Sequence, residues 1–301
     1  NCFKLTRHFQ LQMSEEISAK VICDSVAPHG KRLTTLQIHV PKFLLAEINT
    51  HRMLSKNYNS SRAIPSKKMR SAATFAPTTF GKNQPGMVSE EELSPFKQGA
   101  AQAVWASSRM FALFHHKALE MLGVHKQHAN RTIEPYVWCD GVISGTDWEN
   151  FFRQRMHPDA QPEIQALAYA MFDEMCDSQP KQLAVGDYHL PYIKPEDYIF
   201  LRRFNSHQSI FQAIKDISAA RCARVSYGLD KPFDITADIE RGKKLKAANP
   251  PHYSPYEHVA IAIESAHITF GNFAGWQQYR YQLEREQAKE LSKFVKLKYA
   301  S

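Results

Sequence analysis

Residues 49–62 read Asn49-Thr50-His51-Arg52-Met53-Leu54-Ser55-Lys56-Asn57-Tyr58-Asn59-Ser60-Ser61-Arg62. The segment combines a His-Arg pair and a second Arg with several Asn and Ser side chains, and it contains little apolar filler. A buried core does not have this composition. Guanidiniums and hydroxyls that follow a helix end are typical of a chain that binds phosphate or another compact anion. We therefore expect residues 49–62 to form an anion-binding segment.

The composition places the chain among ordinary globular proteins. It has 301 residues, of which 43% are hydrophobic and 23% charged, enough for one large domain or two. The net charge of +8 favours nucleotides or nucleic acid as partners, although a lysine-rich surface without a bound anion has the same charge. The five cysteines are scattered without a Cys-x-x-Cys pair, which predicts buried thiols in a reducing cytoplasm. No apolar run approaches the roughly 20 residues of a membrane span, so no membrane partner is expected.

The N-terminal segment has a different character from the rest. Residues 1–12 contain no apolar stretch suited to a secretory signal, and Met13 would make a natural first residue. We expect residues 1–12 to be a non-native or disordered extension. Residues 13–301 are expected to form a single domain with a long loop at 63–95, because that stretch is rich in Pro and Gly.

Two strands are predicted by alternation of apolar with polar or small residues. The first covers 33–40 and is expected to be half-buried. Pro41 then opens a helix whose C-terminal end carries the His-Arg pair. The second alternation lies at 259–263.

Helices are predicted where apolar residues recur at steps of three and four. Such patterns occur at 96–122, 160–176 and 208–222, and the polar tail at 274–299 is expected to be a solvated helix. Mixed helices and strands predict an α+β fold with one main twisted sheet flanked by helices.

Four separated segments concentrate polar chemistry, at 47–62, 150–165, 219–227 and 252–258. Taken singly, a His-Arg pair is more often a solvated face and a loop histidine more often a surface residue. Together they resemble the flavin-dependent thymidylate synthase family, whose segments read Arg-His-Arg then Ser-x-Arg, Asn-Phe-Leu-x-Leu-Arg then Ala-Gln-x-Glu-Ile-Gln, Ala-Arg-Val-Ser-Phe and His-x-Thr-Pro-Phe-Glu-His. In that family the last two segments come first. The resemblance therefore implies the family fold in a circularly permuted order, which surface termini make feasible.

The resemblance also implies an activity. Family members move a one-carbon unit from methylenetetrahydrofolate to the uracil ring of dUMP, reduced FAD supplies the hydride, and NADPH reduces the flavin. The expected assembly is a homotetramer with active sites at subunit interfaces. The expected partner is dUMP or a related pyrimidine nucleotide, without specific nucleic-acid binding.

Site residues follow from the resemblance position by position. Catalysis is assigned to Arg155, with His252 and Ser226 near the reaction centre. Substrate (dUMP) contacts are assigned to Glu47, Ser60, Ser61, Arg62, Arg155 and, from a neighbouring subunit, Arg131. Contacts to FAD are assigned to Thr50, His51, Arg52, Tyr58, Ser144, Asn150 and Ser254. No metal site is expected, because the histidines and cysteines fit no strong zinc spacing.

Several of these residues have simpler alternatives. Arg62 and Arg131 are also suited to surface ion pairs, Arg155 to a pair with Asp159, and Glu47 to a pair with Arg52. Glu257 and His258 are expected to be structural, holding the turn at Pro255.

The chain departs from the family at three positions. Thr50 replaces the first Arg of Arg-His-Arg, Tyr58 replaces an acid, and Glu47 replaces a Gln that would contact the base. Because an ionised Glu accepts but does not donate hydrogen bonds, Glu47 suits a cytosine amino group. An alternative is therefore a dUMP or dCMP hydroxymethyltransferase of the kind used in phage DNA base modification. A third hypothesis is a basic nucleic-acid-binding protein, against which the absence of interleaved aromatic and basic residues argues.

Overall fold

The structure is a computed structural model that describes residues 16–72, 75–203, 207–226 and 232–299. The N-terminal extension expected at 1–12 lies outside the described residues. The strands of the described residues are β1 (Ser18–Val26), β2 (Arg32–Pro41), β3 (Ser55–Tyr58), β4 (Trp138–Gly145), β5 (Lys181–Gln182), β6 (Tyr188–His189), β7 (Ala260–Ala262), β8 (Thr269–Phe270), β9 (Phe273–Ala274) and β10 (Trp276–Gln278). The helices are α1 (Leu45–Ile48), α2 (Ser66–Ser71), α3 (Pro95–Met121), α4 (Lys126–Ala129), α5 (Glu149–Arg155), α6 (Pro162–Asp177), α7 (Pro195–Arg202), α8 (His207–Cys222), α9 (Ile235–Ala247) and α10 (Tyr279–Tyr299). Short 3-10 helices cover Lys42–Leu44, Asn130–Tyr136, Ala223–Ser226 and Ser254–His258.

The main sheet has the strand order β3-β4-β2-β1-β5. Strand β2 pairs antiparallel with β1 on one side and with β4 on the other. Its Leu36, Ile38 and Val40 are fully buried and pack in one core with apolar residues of α6 such as Ile164 and Leu167. The strand predicted at 33–40 is therefore confirmed, and so is the mixed α+β class.

A second sheet of two- and three-residue strands has the order β6-β7-β10-β8-β9. Its Phe273 and Trp276 pack against Leu33 of β2. Because this sheet covers the other face of β2, Thr35 is also fully buried, and the strand is not half-buried as predicted. Thr34 lies on the same face as Leu36 and is fully buried there, where its hydroxyl donates to Asp24 at 3.1 Å. Within the new sheet, sequence alternation had indicated only the strand at 259–263, which appears as β7.

The helices predicted by periodicity are confirmed as α3, α6 and α8. The helix predicted at 274–299 begins only at Tyr279, as α10, because residues 274–278 contribute to β9 and β10 of the second sheet. The loop predicted at 63–95 is interrupted by the short helix α2. No helix in the described part of the chain has both the length and the hydropathy to cross a bilayer.

Three helices meet at a buried ion cluster around Arg221 of α8, which is only 1% exposed. Its two terminal nitrogens donate to Asp197 of α7 at 2.6 and 2.7 Å, and its Nε donates to Asp238 of α9 at 2.9 Å. The backbone carbonyl of Tyr192 accepts a further bond at 2.7 Å. Because all these charges are buried and paired, the cluster fixes the relative positions of α7, α8 and α9.

Replacing Arg221 with Ala should destabilise the protein by about 3–5 kcal/mol, because the buried Asp197 loses its counter-charge and the buried Asp238 keeps only its ion pair with Arg241. Urea unfolding followed by circular dichroism measures the loss. The matched control is Lys243→Ala, which removes an exposed ion pair to Glu240 and should change stability by less than about 1 kcal/mol. Equal losses in the two variants would contradict the role given to the buried cluster.

Candidate active site

Arg155 lies at the C-terminal end of α5 and is held by three residues that follow or end α1. Its Nε donates to His51 Nε2 at 2.8 Å, and one terminal nitrogen donates to Thr50 Oγ1 at 3.1 Å. The other terminal nitrogen forms an ion pair with Glu47 Oε2 at 3.5 Å. Arg155 therefore pairs with Glu47, not with Asp159, and Glu47 pairs with Arg155, not with Arg52. The structure brings together four of the predicted site residues.

The backbone after α1 explains why these side chains converge. The amide of Thr50 donates to the Glu47 carbonyl at 3.1 Å, and the amide of His51 donates to the Ile48 carbonyl at 3.2 Å. Lys56 Nζ donates to the His51 carbonyl at 2.5 Å, which places a cation at the helix C-terminus, where the helix dipole favours it. The helix thus ends in a tight turn that presents Glu47, Thr50 and His51 on one side.

The His51 imidazole is neutral at pH 7. It is only 7% exposed and lies edge-on to the Phe151 ring at 4.9 Å between centroids. Burial, followed by the charges of Arg155 and Lys56, lowers the His51 pKa from 6.5 to about 4. Since the arginine always donates, Nε2 is the acceptor nitrogen and Nδ1 carries the proton. His51 therefore orients Arg155 without adding charge.

A pocket of about 650 Å³ opens beside this cluster. Four of the residues assigned to FAD line it: Thr50, His51, Arg52 and Asn150. Its other lining residues include Trp148, Arg32 and Arg153 together with the acids Asp147 and Glu149. The volume falls within the roughly 300–1,000 Å³ of ordinary ligand pockets, and the arginines suit an anionic ligand.

A second group of predicted residues lies on the loop at 60–64. The hydroxyl of Ser61 and the guanidinium of Arg131 both bond to one oxygen of Glu134, the latter at 2.8 Å. Arg62 is exposed, and its backbone amide donates to Ser60 Oγ at 3.3 Å. Arg131 is 56% exposed and forms the surface ion pair considered as its alternative.

The fully buried Asn130 fixes this loop. Its amide nitrogen donates to the carbonyls of Ser61 at 2.7 Å and Ile64 at 3.0 Å, while its oxygen bonds to His116 of α3 at 3.0 Å. Lys126 adds a bond to the Ala63 carbonyl at 2.8 Å. Sequence patterns did not indicate Asn130 or Lys126, but the spacing of three between Arg131 and Glu134 is that of a helical ion pair.

Ser144 and Tyr58 lie in the main sheet, outside the pocket lining. Ser144 is fully buried, and its hydroxyl bonds to Thr35 at 2.6 Å and to His258 Nδ1 at 2.8 Å. Tyr58 packs over Gly141, where a Cβ would lie 2.6 Å from the tyrosine ring. Burial raises the Tyr58 pKa well above its usual value of 10.0. Their assignment to FAD stays a prediction.

His252 and Ser254 are exposed near the start of the 3-10 helix Ser254–His258. In the residues that the structure describes, no hydrogen bond links either of them to Arg155 or to the loop at 60–64. The backbone of Ser226 is described, but its side chain is not. Glu257 bonds to Arg280, and His258 bonds to Ser144, contacts that fit the structural roles expected for both. No cluster of potential metal ligands occurs among the described residues.

A known protein family matches the N-terminal half of the chain. Residues 31–181, just over half of the chain, match the model of the family described as thymidylate synthase complementing protein. The chain belongs to this family. The match includes Glu47, Arg155 and the loop at 60–64, whereas Ser226 and His252 follow it. The permuted order of the motifs stays a prediction.

Two solved structures are similar to parts of the chain. A UMP/dUMP methylase PolB from Streptomyces cacaoi, bound with 5-Br UMP, has 15% identity, covers 53% of this chain and 88% of its own, and gives a TM-score of 0.47. The flavin-dependent thymidylate synthase ThyX from Helicobacter pylori, complexed with FAD and dUMP, has 20% identity, covers 48% and 67%, and gives 0.34. A search of curated proteins gave no match. Membership of the thymidylate synthase complementing protein family thus depends on residues 31–181 alone.

The contact between Arg155 and His51 can be tested by titration. Replacing Arg155 with Gln removes a positive charge and opens the packing around the imidazole, so the His51 pKa should rise from about 4 towards 6.5. Histidine-resolved NMR titration measures it. The control is Arg202→Gln, which removes the same charge from an exposed position on α7, and no change is expected for it. An unchanged His51 pKa in the Arg155 variant would contradict the described contact.

Proposed function

We propose that this protein is a flavin-dependent thymidylate synthase-type enzyme of the cytoplasm. It transfers a one-carbon unit from methylenetetrahydrofolate to dUMP, with FAD as cofactor and NADPH as reductant. The observation that supports this proposal most directly is Arg155, a cation held at 2.8 Å by a neutral histidine beside a pocket lined with arginines. Membership of the thymidylate synthase complementing protein family supports the same chemistry.

Arg155 is suited to activate a pyrimidine ring. A fixed guanidinium facing the ring edge stabilises negative charge as it builds up during attack on the one-carbon donor. Because His51 and Thr50 hold the guanidinium from two directions, it needs little reorganisation when charge develops. Glu47 neutralises part of this charge in the structure, and a ring bound at Arg155 would compete with that ion pair.

The residues around the pocket fit a flavin. FAD, when bound and reduced by NADPH, would supply the hydride to the one-carbon unit. Arg52, Asn150 and Thr50 would bind it through charge and hydrogen bonds, and Trp148 offers an aromatic wall. The loop at 60–64 would bind the dUMP phosphate through Ser60 and Arg62. Since these groups are not joined to His252 within the described residues of one chain, we propose that neighbouring copies in a homotetramer complete the site.

Glu47 supports a second candidate, a dUMP or dCMP hydroxymethyltransferase. Its carboxylate lies 3.5 Å from Arg155, the residue proposed to face the pyrimidine ring. An ionised carboxylate accepts hydrogen bonds but donates none, so Glu47 would favour a base that presents a donor, such as the amino group of cytosine. In this reaction water instead of hydride captures the exocyclic methylene intermediate. The product then carries one more oxygen than the methylated nucleotide, and no reductant is consumed.

One assay tests the activity and separates the candidates. Incubation of dUMP or dCMP with methylenetetrahydrofolate and FAD, with and without NADPH, is followed by product mass. We expect a methylated product from dUMP that depends on NADPH. Arg155→Ala should slow its formation roughly 100-fold, as for the loss of one oxyanion donor worth about 3 kcal/mol.

The control is Arg202→Ala, an exposed arginine of α7, for which full turnover is expected. A product heavier by one oxygen and independent of NADPH would establish the second candidate instead. Absence of any product from either nucleotide would contradict both candidates. Full turnover by Arg155→Ala would refute its catalytic role.

The proposed phosphate-binding loop gives a separate prediction. Glu134 accepts bonds from Ser61 and Arg131, two groups assigned to the phosphate, and so competes with it. Glu134→Gln removes this negative charge and should tighten dUMP binding several-fold, whereas Arg62→Ala should weaken it. Titration calorimetry with dUMP measures both.

Two controls make this test specific. Deoxyuridine, which lacks the phosphate, should bind Glu134→Gln and the unaltered protein equally. Glu240→Gln, an exposed acid on α9, removes the same charge elsewhere and should leave dUMP affinity unchanged. Weaker dUMP binding by Glu134→Gln would show that this carboxylate supports the loop and does not compete.

A further inference from the structure

The longest helix of the chain, α3, exposes a continuous apolar surface. We name as the outer stripe its residues Phe96, Val104, Phe111, Phe114 and Met121. Phe96 is 86% exposed, Phe111 56% and Phe114 67%. At about 100° per residue these side chains share one side of the helix, which is about 40 Å long.

The opposite side of α3 already packs on the protein. Trp105 contacts Tyr136 with ring centroids 5.5 Å apart, and the fully buried His116 bonds to Asn130 at 3.0 Å. Leu113 packs against the buried cluster of Met69, Ile133 and Val137. A surface helix needs one apolar face to cover a core. Helix α3 has two apolar faces, and the described residues of the chain cover only one of them.

The outer stripe has the spacing of a helix–helix seam. Residues 104, 107, 111, 114, 118 and 121 follow alternating steps of three and four, the pattern of coiled-coil core positions. Small side chains, Ala100, Ser107 and Ala118, alternate with the large ones. No charged residue falls on the stripe, and Lys97 and Lys117 flank it.

The exposed area is what a subunit interface requires. At about 150–250 Å² per aromatic side chain, the three phenylalanines alone expose roughly 300–500 Å². Val104 and Met121, at 70% and 78% exposure, add to this. Monomers rarely expose contiguous apolar patches above a few hundred Å², whereas a specific interface buries about 800 Å² per partner.

We infer that the outer stripe binds the same stripe of a second copy of this chain. A two-fold axis across the helix makes the two α3 helices antiparallel and the contact self-complementary. A register centred on residue 109 places Val104 opposite Phe114 and Ala100 opposite Ala118, so layers of large and small side chains alternate along the seam. This interface specifies one contact of the proposed homo-oligomer and is independent of the reaction that the protein catalyses.

The experiment measures the mass of the full chain by light scattering and sedimentation at micromolar concentration. We expect a dimer or a larger even-numbered assembly. Phe111→Glu should halve that mass, because it buries a charge in the seam, while circular dichroism stays unchanged. The matched control, Ala106→Glu, adds the same charge to an exposed position off the stripe and should leave the mass unchanged.

Three results would overturn the inference. The first is a monomeric unaltered protein, and the second is a Phe111→Glu variant of unaltered mass. The third is a monomer that associates only after deletion of residues 1–15, which would show that this segment covers the stripe. A monomeric protein that forms methylated product would refute the interface but not the proposed activity. A dimer that forms no product would refute the proposed activity but not the interface.

Discussion

Burial of both faces of β2 is the constraint on which the rest of the structure depends. One face packs on α6, and the other lies under the second sheet. The strand has neighbours on both edges, so its backbone is fixed along its whole length. The chain leaves β2 at Pro41 and enters α1 within a few residues. The position of Glu47, Thr50 and His51 is therefore set by the strand that precedes them.

Sequence patterns predicted the elements whose signal repeats several times. Helix α3 and strand β2 are long enough for a period to be recognised, and both appear within two residues of their expected bounds. The strands of the second sheet have two or three residues each, and only β7 lies in a longer stretch whose alternation could be recognised. Their existence depends on tertiary contacts, such as that of Trp276 with Leu33, which no local pattern encodes.

The candidate site was predictable to a similar extent. Motif resemblance indicated Arg155 and His51 as site residues, and the structure brings them within 2.8 Å. It did not indicate that Glu47 would pair with Arg155, because that contact joins residues 108 positions apart. Nor did it indicate Asn130, whose importance comes from two carbonyls and a histidine that meet only in the fold. Resemblance identifies reacting groups, whereas the residues that position them are specific to each chain.

A buried chain of hydrogen bonds joins the two sheets and makes the stability of the protein depend on pH. Thr35 links His189 of the second sheet to Ser144, which in turn bonds to His258. Burial lowers the pKa of both imidazoles from 6.5 to about 3. As the pH falls below 6.5, both imidazoles become protonated in the unfolded chain, whereas in the folded chain they stay neutral until about pH 3. Mild acidification therefore favours unfolding. The free energy of unfolding should thus fall as the pH drops below 6.5, through the same residues that join the two sheets.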